Sequence, residues 1–209
     1  MKMKVNEIFY SLQGEGRNAG RAAVFVRLSG CNLRCPFCDT QHQSGSMMTE
    51  REILKEVVDC IMAVHCGMAK SEMPLVVLTG GEPTIQDCYN LIALLHSEGF
   101  DVAIETNGTR NPTWLKEVDF ITLSPKFAYV QDQNAEIRLE RCDELKVVYK
   151  PGLDLSRYDN IRAKYRYLQP CDTGDKAENE KIIKDTIEQC KFDPRWRLSL
   201  QTQKIVGIL

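Results

Sequence analysis

Residues 22–38 read Ala22-Ala23-Val24-Phe25-Val26-Arg27-Leu28-Ser29-Gly30-Cys31-Asn32-Leu33-Arg34-Cys35-Pro36-Phe37-Cys38. The first seven form a short apolar and β-branched run closed by Ser29-Gly30, the pattern of a buried strand that ends in a loop. Working outward, Thr49-Glu50-Arg51-Glu52 is a capping box, and Ile53, Leu54, Val57, Val58, Ile61 and Met62 follow at helical spacing on one face. Strands are expected at 75–78, 102–105, 120–123, 144–149 and 166–168, with a final alternating stretch at 196–201. Between them lie a helix over 87–98 stopped by Gly99, a helix start at Pro112, a weaker helix over 153–163, and a helix over 177–190 with Ile182, Ile183 and Ile187 on one stripe. Strands separated by helices imply an α/β fold with a parallel sheet, because parallel neighbours need crossover connections.

The residues least typical of a core follow the ends of these strands: 31–38, 80–83, 106–108, 124–126, 169–172 and 202–204. In parallel α/β folds, barrels included, that is the face where sites are built. At about 150 residues per domain, 209 residues make one domain, 1–209, and no linker or repeat divides it. Lys and Arg total 27 against 29 Asp and Glu, so a net charge of -2 argues against nucleic-acid coating or a membrane surface. The Arg157–Arg166 group reads as a solvated face. No stretch approaches the ~18 apolar residues of a membrane span, and the N-terminus lacks a signal peptide, so a cytoplasmic protein is expected.

Nine cysteines are too few for a secreted disulfide scaffold, and an odd number cannot all pair within one chain. Three of them, Cys31, Cys35 and Cys38, sit in one loop at spacings of four and three. A structural zinc site needs four ligands, and the next cysteines are Cys60, inside a predicted helix, and Cys66 beyond it. Three thiolates on a 4Fe–4S cluster would leave one iron open to a small molecule. Both zinc and cluster readings stand on the spacing alone.

The Cys-x3-Cys-x2-Cys pattern, with an aromatic residue before its third cysteine, resembles the radical S-adenosylmethionine (SAM) superfamily, and Gly80-Gly81-Glu82-Pro83 resembles that superfamily's SAM-amine motif. Within it the chain is similar, nearly end to end, to the 7-carboxy-7-deazaguanine synthase family of queuosine biosynthesis. The similarity rests on Glu7-Ile8-Phe9, Ser11-Leu12-Gln13-Gly14-Glu15-Gly16, residues 25–33 and Cys38-Asp39-Thr40, with Ser124-Pro125-Lys126 and Gln169-Pro170-Cys171-Asp172 as later loops. The resemblance implies an abbreviated, partial (β/α)6 barrel, a homodimer, and a carbon–nitrogen lyase that contracts 6-carboxy-5,6,7,8-tetrahydropterin to 7-carboxy-7-deazaguanine with loss of ammonia. It also implies a flavodoxin-type electron donor and no part for nucleic acid at this step.

Carried onto this chain, the resemblance implies that Cys31, Cys35 and Cys38 bind three irons of a 4Fe–4S cluster while SAM chelates the fourth. Phe37, Cys38, Asp39, Gly81, Ser124, Pro125, Lys126, Gln169, Pro170, Cys171 and Asp172 are the implied SAM contacts. A substrate-binding segment 1–21 supplies Leu12, Gln13, Gly14 and Glu15. Arg27, suited to a bidentate carboxylate clamp, Thr79 and the terminal Leu209 complete the pterin site. Thr40 is the implied Mg²⁺ ligand, and the tail 202–209 closes the pocket. That tail departs from the family pattern: Gln203 stands where a His is common, and the chain ends in Leu209 where a Pro is common. Cys60, Cys66, Cys88, Cys142 and Cys190 are expected to be structural, and His42, His65 and His96 ordinary surface or core residues. An activase acting on a partner protein's glycine would share the cluster and glycine motifs but leaves Gln13, Arg27 and Thr40 without a purpose.

Overall fold

A computed structural model describes residues 2–63, 73–130 and 135–208. Its strands are β1 (Lys2–Leu12), β2 (Ala22–Leu28), β3 (Ser46–Thr49), β4 (Leu75–Gly80), β5 (Val102–Thr106), β6 (Phe120–Leu123), β7 (Arg141–Tyr149), β8 (Arg162–Pro170) and β9 (Arg197–Leu198). The helices are α1 (Glu50–Met62), α2 (Tyr89–Ser97), α3 (Lys176–Phe192) and α4 (Thr202–Val206). Among the described residues the strands make one sheet in the order β3-β1-β2-β4-β5-β6-β7-β8-β9. From β2 to β9 every neighbour is parallel, as the alternation of strands and helices requires, while β1 pairs antiparallel with β2 and β3. No helix among the described residues is long and apolar enough to cross a membrane.

The local signals account for much of this. Thr49 caps α1 as a complete capping box with Glu52, and Ile53, Val57 and Ile61 are its buried stripe. Met62 lies off that stripe and is 56% exposed. Two strands, β1 and β3, are not among those expected from the sequence. Residues 153–163 form a single 3-10 turn, Leu155–Tyr158, not a helix, because Asp154 turns its carboxylate onto Ser156 N (3.1 Å) and Arg166 takes the Tyr158 and Ile161 carbonyls. Strand β8 then starts at Arg162, well before the expected 166, since it pairs along the length of β7. Pro112 likewise precedes a 3-10 helix, Thr113–Glu117, and only Arg197 and Leu198 of the final stretch pair as strand. In α3 the buried pair is Ile182 and Thr186, whereas Ile187 faces solvent. Thr186 satisfies its hydroxyl on Ile182 O at 2.7 Å, which lets a polar residue take the core position. Cys66 and His65 lie outside the described residues.

Alternation along the strands divides the sheet into two faces. Val24, Val26, Leu28, Val76, Leu78, Val102, Ile104, Leu145, Val147 and Leu168 belong to the main core with the helices. On the inner face, Ala23, Phe25, Leu75, Val77 and Ala103 form a smaller apolar plug with Phe9 and Phe120. One step further along that inner face stand Arg27, Thr79, Glu105 and Lys146. Each forgoes the ~1.5–3 kcal/mol that burying an aliphatic side chain there would contribute, so packing does not explain them.

The sheet curls round these residues. Gly14 and Gly16 follow β1 and Ser199 and Thr202 follow β9, yet Thr202 N and Oγ1 donate to Gly14 O (3.2 and 2.8 Å) and Gly16 N donates to Ser199 Oγ (3.0 Å). In a flat sheet β1 and β9 would lie about 34 Å apart, seven strand spacings. The result is a partial barrel whose gap is bridged by loops, with no pairing between its edges among the described residues.

At the strand ends Gly81 is fitted to a neighbouring peptide. A Cβ there would fall 1.7 Å from Gly30 O, while Gly81 N donates to Leu28 O (2.9 Å) and Glu82 N to Gly30 O (2.8 Å). Gly81→Ala should therefore lower unfolding stability by about 2–4 kcal/mol, since backbone faces backbone and neither side can yield. Gly152, at φ +83° with nothing within 4 Å of where a Cβ would stand, should cost only about 1 kcal/mol as Ala. Urea unfolding of the two variants checks the contrast, and equal losses would contradict it.

Candidate active site

Cys31, Cys35 and Cys38 are free thiols that open on one cavity at the strand ends, beside Phe37, Asp39 and Thr40. The loop turns on a Cys38 N to Cys35 O bond (3.2 Å) and is anchored by buried Leu33. It is tied to its neighbours through Asn32, which accepts from Asn107 Nδ2 (3.2 Å) and donates to Thr109 Oγ1 (2.8 Å). Glu82 lies beneath. Its carboxyl oxygens accept from Thr84 N (3.1 Å), Thr84 Oγ1 (2.6 Å), Thr106 Oγ1 (2.7 Å) and Asn107 N (2.7 Å), so both oxygens of a buried side chain are bonded and the loops after β4 and β5 are held together.

Burial pushes the Cys31 and Cys35 thiols up, and the nearby Lys126 charge opposes that rise. Lys126 donates to Ser124 Oγ (2.6 Å), and burial draws its own pKa down. Ser124 and Lys126 line the cavity, whereas Pro125 is buried outside the lining. Gly81, Gln169, Pro170, Cys171 and Asp172 line the same cavity. Asp172 accepts from Lys204 Nζ (2.7 Å), Gly174 N (3.0 Å) and Asn179 Nδ2 (2.8 Å), which hold its carboxyl down at about 2. Lys204 also reaches Asp39 (3.1 Å), so the tail helix α4 straddles the mouth between the cysteine loop and the 169–172 loop.

Leu12, Gln13, Gly14, Glu15, Arg27 and Thr79 line the same cavity. Gln13 Nε2 donates to Glu105 Oε1 (3.2 Å), Thr79 Oγ1 to Glu105 Oε2 (3.1 Å), and Glu15 N to Gln13 Oε1 (3.1 Å). Glu15 pairs with Lys146 through Oε2 and accepts at Oε1 from Gln201 Nε2 (3.0 Å) and Gln203 Nε2 (3.1 Å). Gln203 thus uses the space left by Gly14, where a Cβ would meet its amide oxygen. Arg27 is engaged with Glu7 (3.1 Å) and lies over the Phe9 ring (5.1 Å). Thr40 Oγ1 is 3.4 Å from Asp39 Oδ1. Leu209 lies outside the described residues.

Glu105, Lys146 and Gln201 were not among the expected site residues. The available signal was a charge inside an otherwise apolar strand, Val102-Ala103-Ile104-Glu105 and Leu145-Lys146-Val147, at the inward phase. The donor set fits two kinds of group. Three soft thiols on one rim beside a cation suit an iron–sulfur cluster with an open iron, and the Asp39 and Thr40 oxygens suit a hard cation. Among the described residues no three His, Cys, Asp or Glu side chains converge on a single ion.

Known proteins share this architecture. The Radical SAM superfamily model matches residues 25–123. Over 100% of both chains the sequence is 44% identical to the 7-carboxy-7-deazaguanine synthase of Bacteroides thetaiotaomicron and 38% identical to that of Nitratidesulfovibrio vulgaris. The chain belongs to the 7-carboxy-7-deazaguanine synthase family. The crystal structure of QueE from Escherichia coli superposes with a TM-score of 0.71 at 28% identity, covering 96% of this chain and 94% of that one. As a member of this family the chain is a radical SAM enzyme, whose cofactors are a 4Fe–4S cluster and SAM.

The Glu15–Lys146 pair sets an acid limit. Burial raises the Glu15 carboxyl, but the Lys146 charge and the donors at both oxygens outweigh it and hold the pKa below 4.5. A depressed carboxyl stabilises the fold fully above its unfolded pKa and loses that contribution as pH falls through the folded value. Glu15→Gln should therefore cost about 3 kcal/mol near pH 7, the scale of breaking a buried pair. The cost should shrink as pH drops below about 4.5, which urea unfolding at several pH values checks.

Proposed function

We propose that this cavity converts 6-carboxy-5,6,7,8-tetrahydropterin to 7-carboxy-7-deazaguanine and ammonia, acting as a carbon–nitrogen lyase. The observation that carries the proposal is the ring of polar residues, Gln13 and Glu15 from the loop after β1 with Arg27, Thr79 and Glu105 from the inner face of the sheet, set in one cavity with three free cysteines. When bound, the cluster and SAM supply a 5′-deoxyadenosyl radical able to take hydrogen from the substrate's C6. Cys31, Cys35 and Cys38 hold the cluster. Phe37, Asp39, Gly81, Ser124, Lys126 and the 169–172 loop orient SAM, and the half-buried Lys126 lies near enough to Cys31 and Cys35 to oppose the rise that burial gives their thiols.

On the substrate side the protein binds, orients and excludes water. Glu15 and Glu105 are acceptors for the ring's N–H groups, and Gln13 offers both a donor and an acceptor. Arg27 exchanges Glu7 for the substrate carboxylate, a swap between two carboxylates at a half-exposed site that costs little. Thr40 would hold Mg²⁺ with Asp39 nearby, the remaining ligands coming from substrate and water, because the chain offers few oxygens there. Segment 1–21 and the tail 202–209, Leu209 included, close the open side. A homodimer, a flavodoxin-type electron donor and a cytoplasmic setting complete the proposal.

The test is anaerobic turnover of reconstituted protein with SAM, a reductant, Mg²⁺ and the tetrahydropterin. The deazapurine should form, whereas SAM cleavage without it would overturn the substrate. Cys35→Ala should lose bound iron and turnover together. Arg27→Ala should keep its iron and raise KM about tenfold or more, the loss of one bidentate contact.

A further inference from the structure

Lys146 is an unusual residue for the middle of a strand. Its side chain is 6% exposed, it follows buried Leu145 and precedes buried Val147, and it points into the cavity from β7. Its ammonium pairs with Glu15 and lies 3.5 Å from Glu105 Oε1. Those partners come from the loop after β1 and from β5, so one cation organises both carboxylates that line the inner ring. Glu105 is further oriented by Gln13 and Thr79, and Glu15 by Gln201 and Gln203, so each oxygen of the two carboxylates has a donor on its protein side.

We infer that Lys146 is a positioning residue, which bridges Glu15 and Glu105 and keeps both carboxylates aimed as acceptors for the N3–H and 2-amino donors of a 2-amino-4-oxopyrimidine ring. The inference rests on the pterin substrate proposed above. Its logic is electrostatic. Carboxylates that share one cavity repel unless a cation lies between them, and a carboxyl that takes up a proton becomes a donor facing donors. The charged groups around Lys146 are Glu15 from the β1–β2 loop, Glu105 on β5, Glu144 on its own strand, and Lys126 after β6. Three acids against two bases leave the cluster short of positive charge, and burial already pushes the Glu144 carboxyl up. Removing Lys146 therefore shifts a proton onto the acids.

The test compares wild type, Lys146→Met, Lys146→Arg and the double variant Glu15→Gln/Lys146→Met as reconstituted enzymes of matched iron content. KM and kcat are measured from pH 6 to 9 with 6-carboxytetrahydropterin, and binding is compared with that of its analogue lacking the 2-amino group. Lys146→Met should raise KM at least tenfold near pH 7 with a much smaller change in kcat. That KM should fall again as pH rises and the added proton leaves, while wild type shows no such limb. Wild type should prefer the amino compound, Lys146→Met should bind the two alike, and Lys146→Arg should recover part of the preference. A protonated-carboxyl band in the infrared spectrum near neutral pH should appear in Lys146→Met alone.

A Lys146→Met enzyme with unchanged KM and intact preference overturns the inference, as does a loss confined to kcat. If Lys146→Met fails to fold, the double variant removes both charges together, and an undiminished preference for the amino group in it overturns the inference equally. Wild type that makes no deazapurine overturns the substrate proposal and the inference with it. Product from wild type together with an indifferent Lys146→Met overturns the inference alone.

Discussion

The buried contact between Glu15 and Lys146 is the constraint on which the site depends. It joins the loop leaving β1 to the middle of β7, across an interior that a flat sheet would not possess. Two ions taken from water cost several kcal/mol each unless they meet and their remaining bonding positions are filled. Here Gln201 and Gln203 fill the remaining Glu15 oxygen, and Glu105 lies on the other side of the ammonium. Because Gln203 belongs to the C-terminal tail and Gln201 immediately precedes it, the same contact that neutralises Lys146 also draws the tail against the cavity. Closure of the barrel gap and shaping of the polar ring are thus one event.

That ring exists because the inner face changes character along each strand. Near the start of the parallel strands it is plugged by Ala23, Phe25, Leu75, Val77 and Ala103, which keep water out from below. One inward position later the side chains are Arg27, Thr79 and Glu105, with Lys146 on β7. The apolar floor lowers the local dielectric and strengthens the charge interactions above it. The outer face meanwhile packs continuously against the helices, so stability resides largely on one side of the sheet and chemistry on the other.

A second set of contacts keeps the cofactor loops in step. Glu82 binds the Thr106-Asn107 turn, Asn107 binds Asn32 in the cysteine loop, and Gly81 rests against the Gly30 peptide. The glycine that resembles a SAM-amine contact is therefore also required by the close approach of two protein backbones. Displacing any one of these loops would move the others, which ties the geometry of the three thiols to that of the Gly80–Pro83 turn.

Features encoded by neighbours in the chain were legible in the sequence. The spacing of Cys31, Cys35 and Cys38, the Gly80-Gly81-Glu82-Pro83 turn, the Thr49–Glu52 capping box and the strand–helix alternation are all local, and each involves residues close enough to determine one another's conformation. The cavity lining at Gln13, Glu15 and Thr79 was also anticipated, through family resemblance. Tertiary structure alone decided the rest. Lys146 and Glu15 are 131 residues apart, Gln203 and Glu15 are 188 apart, and only the curl and register of the sheet bring them together. The same holds for Thr186 in place of Ile187 on the buried side of α3, and for the strand that displaces a helix before Arg166. Periodicity tells which residues share a face, but which face meets which partner follows from how the sheet closes on itself.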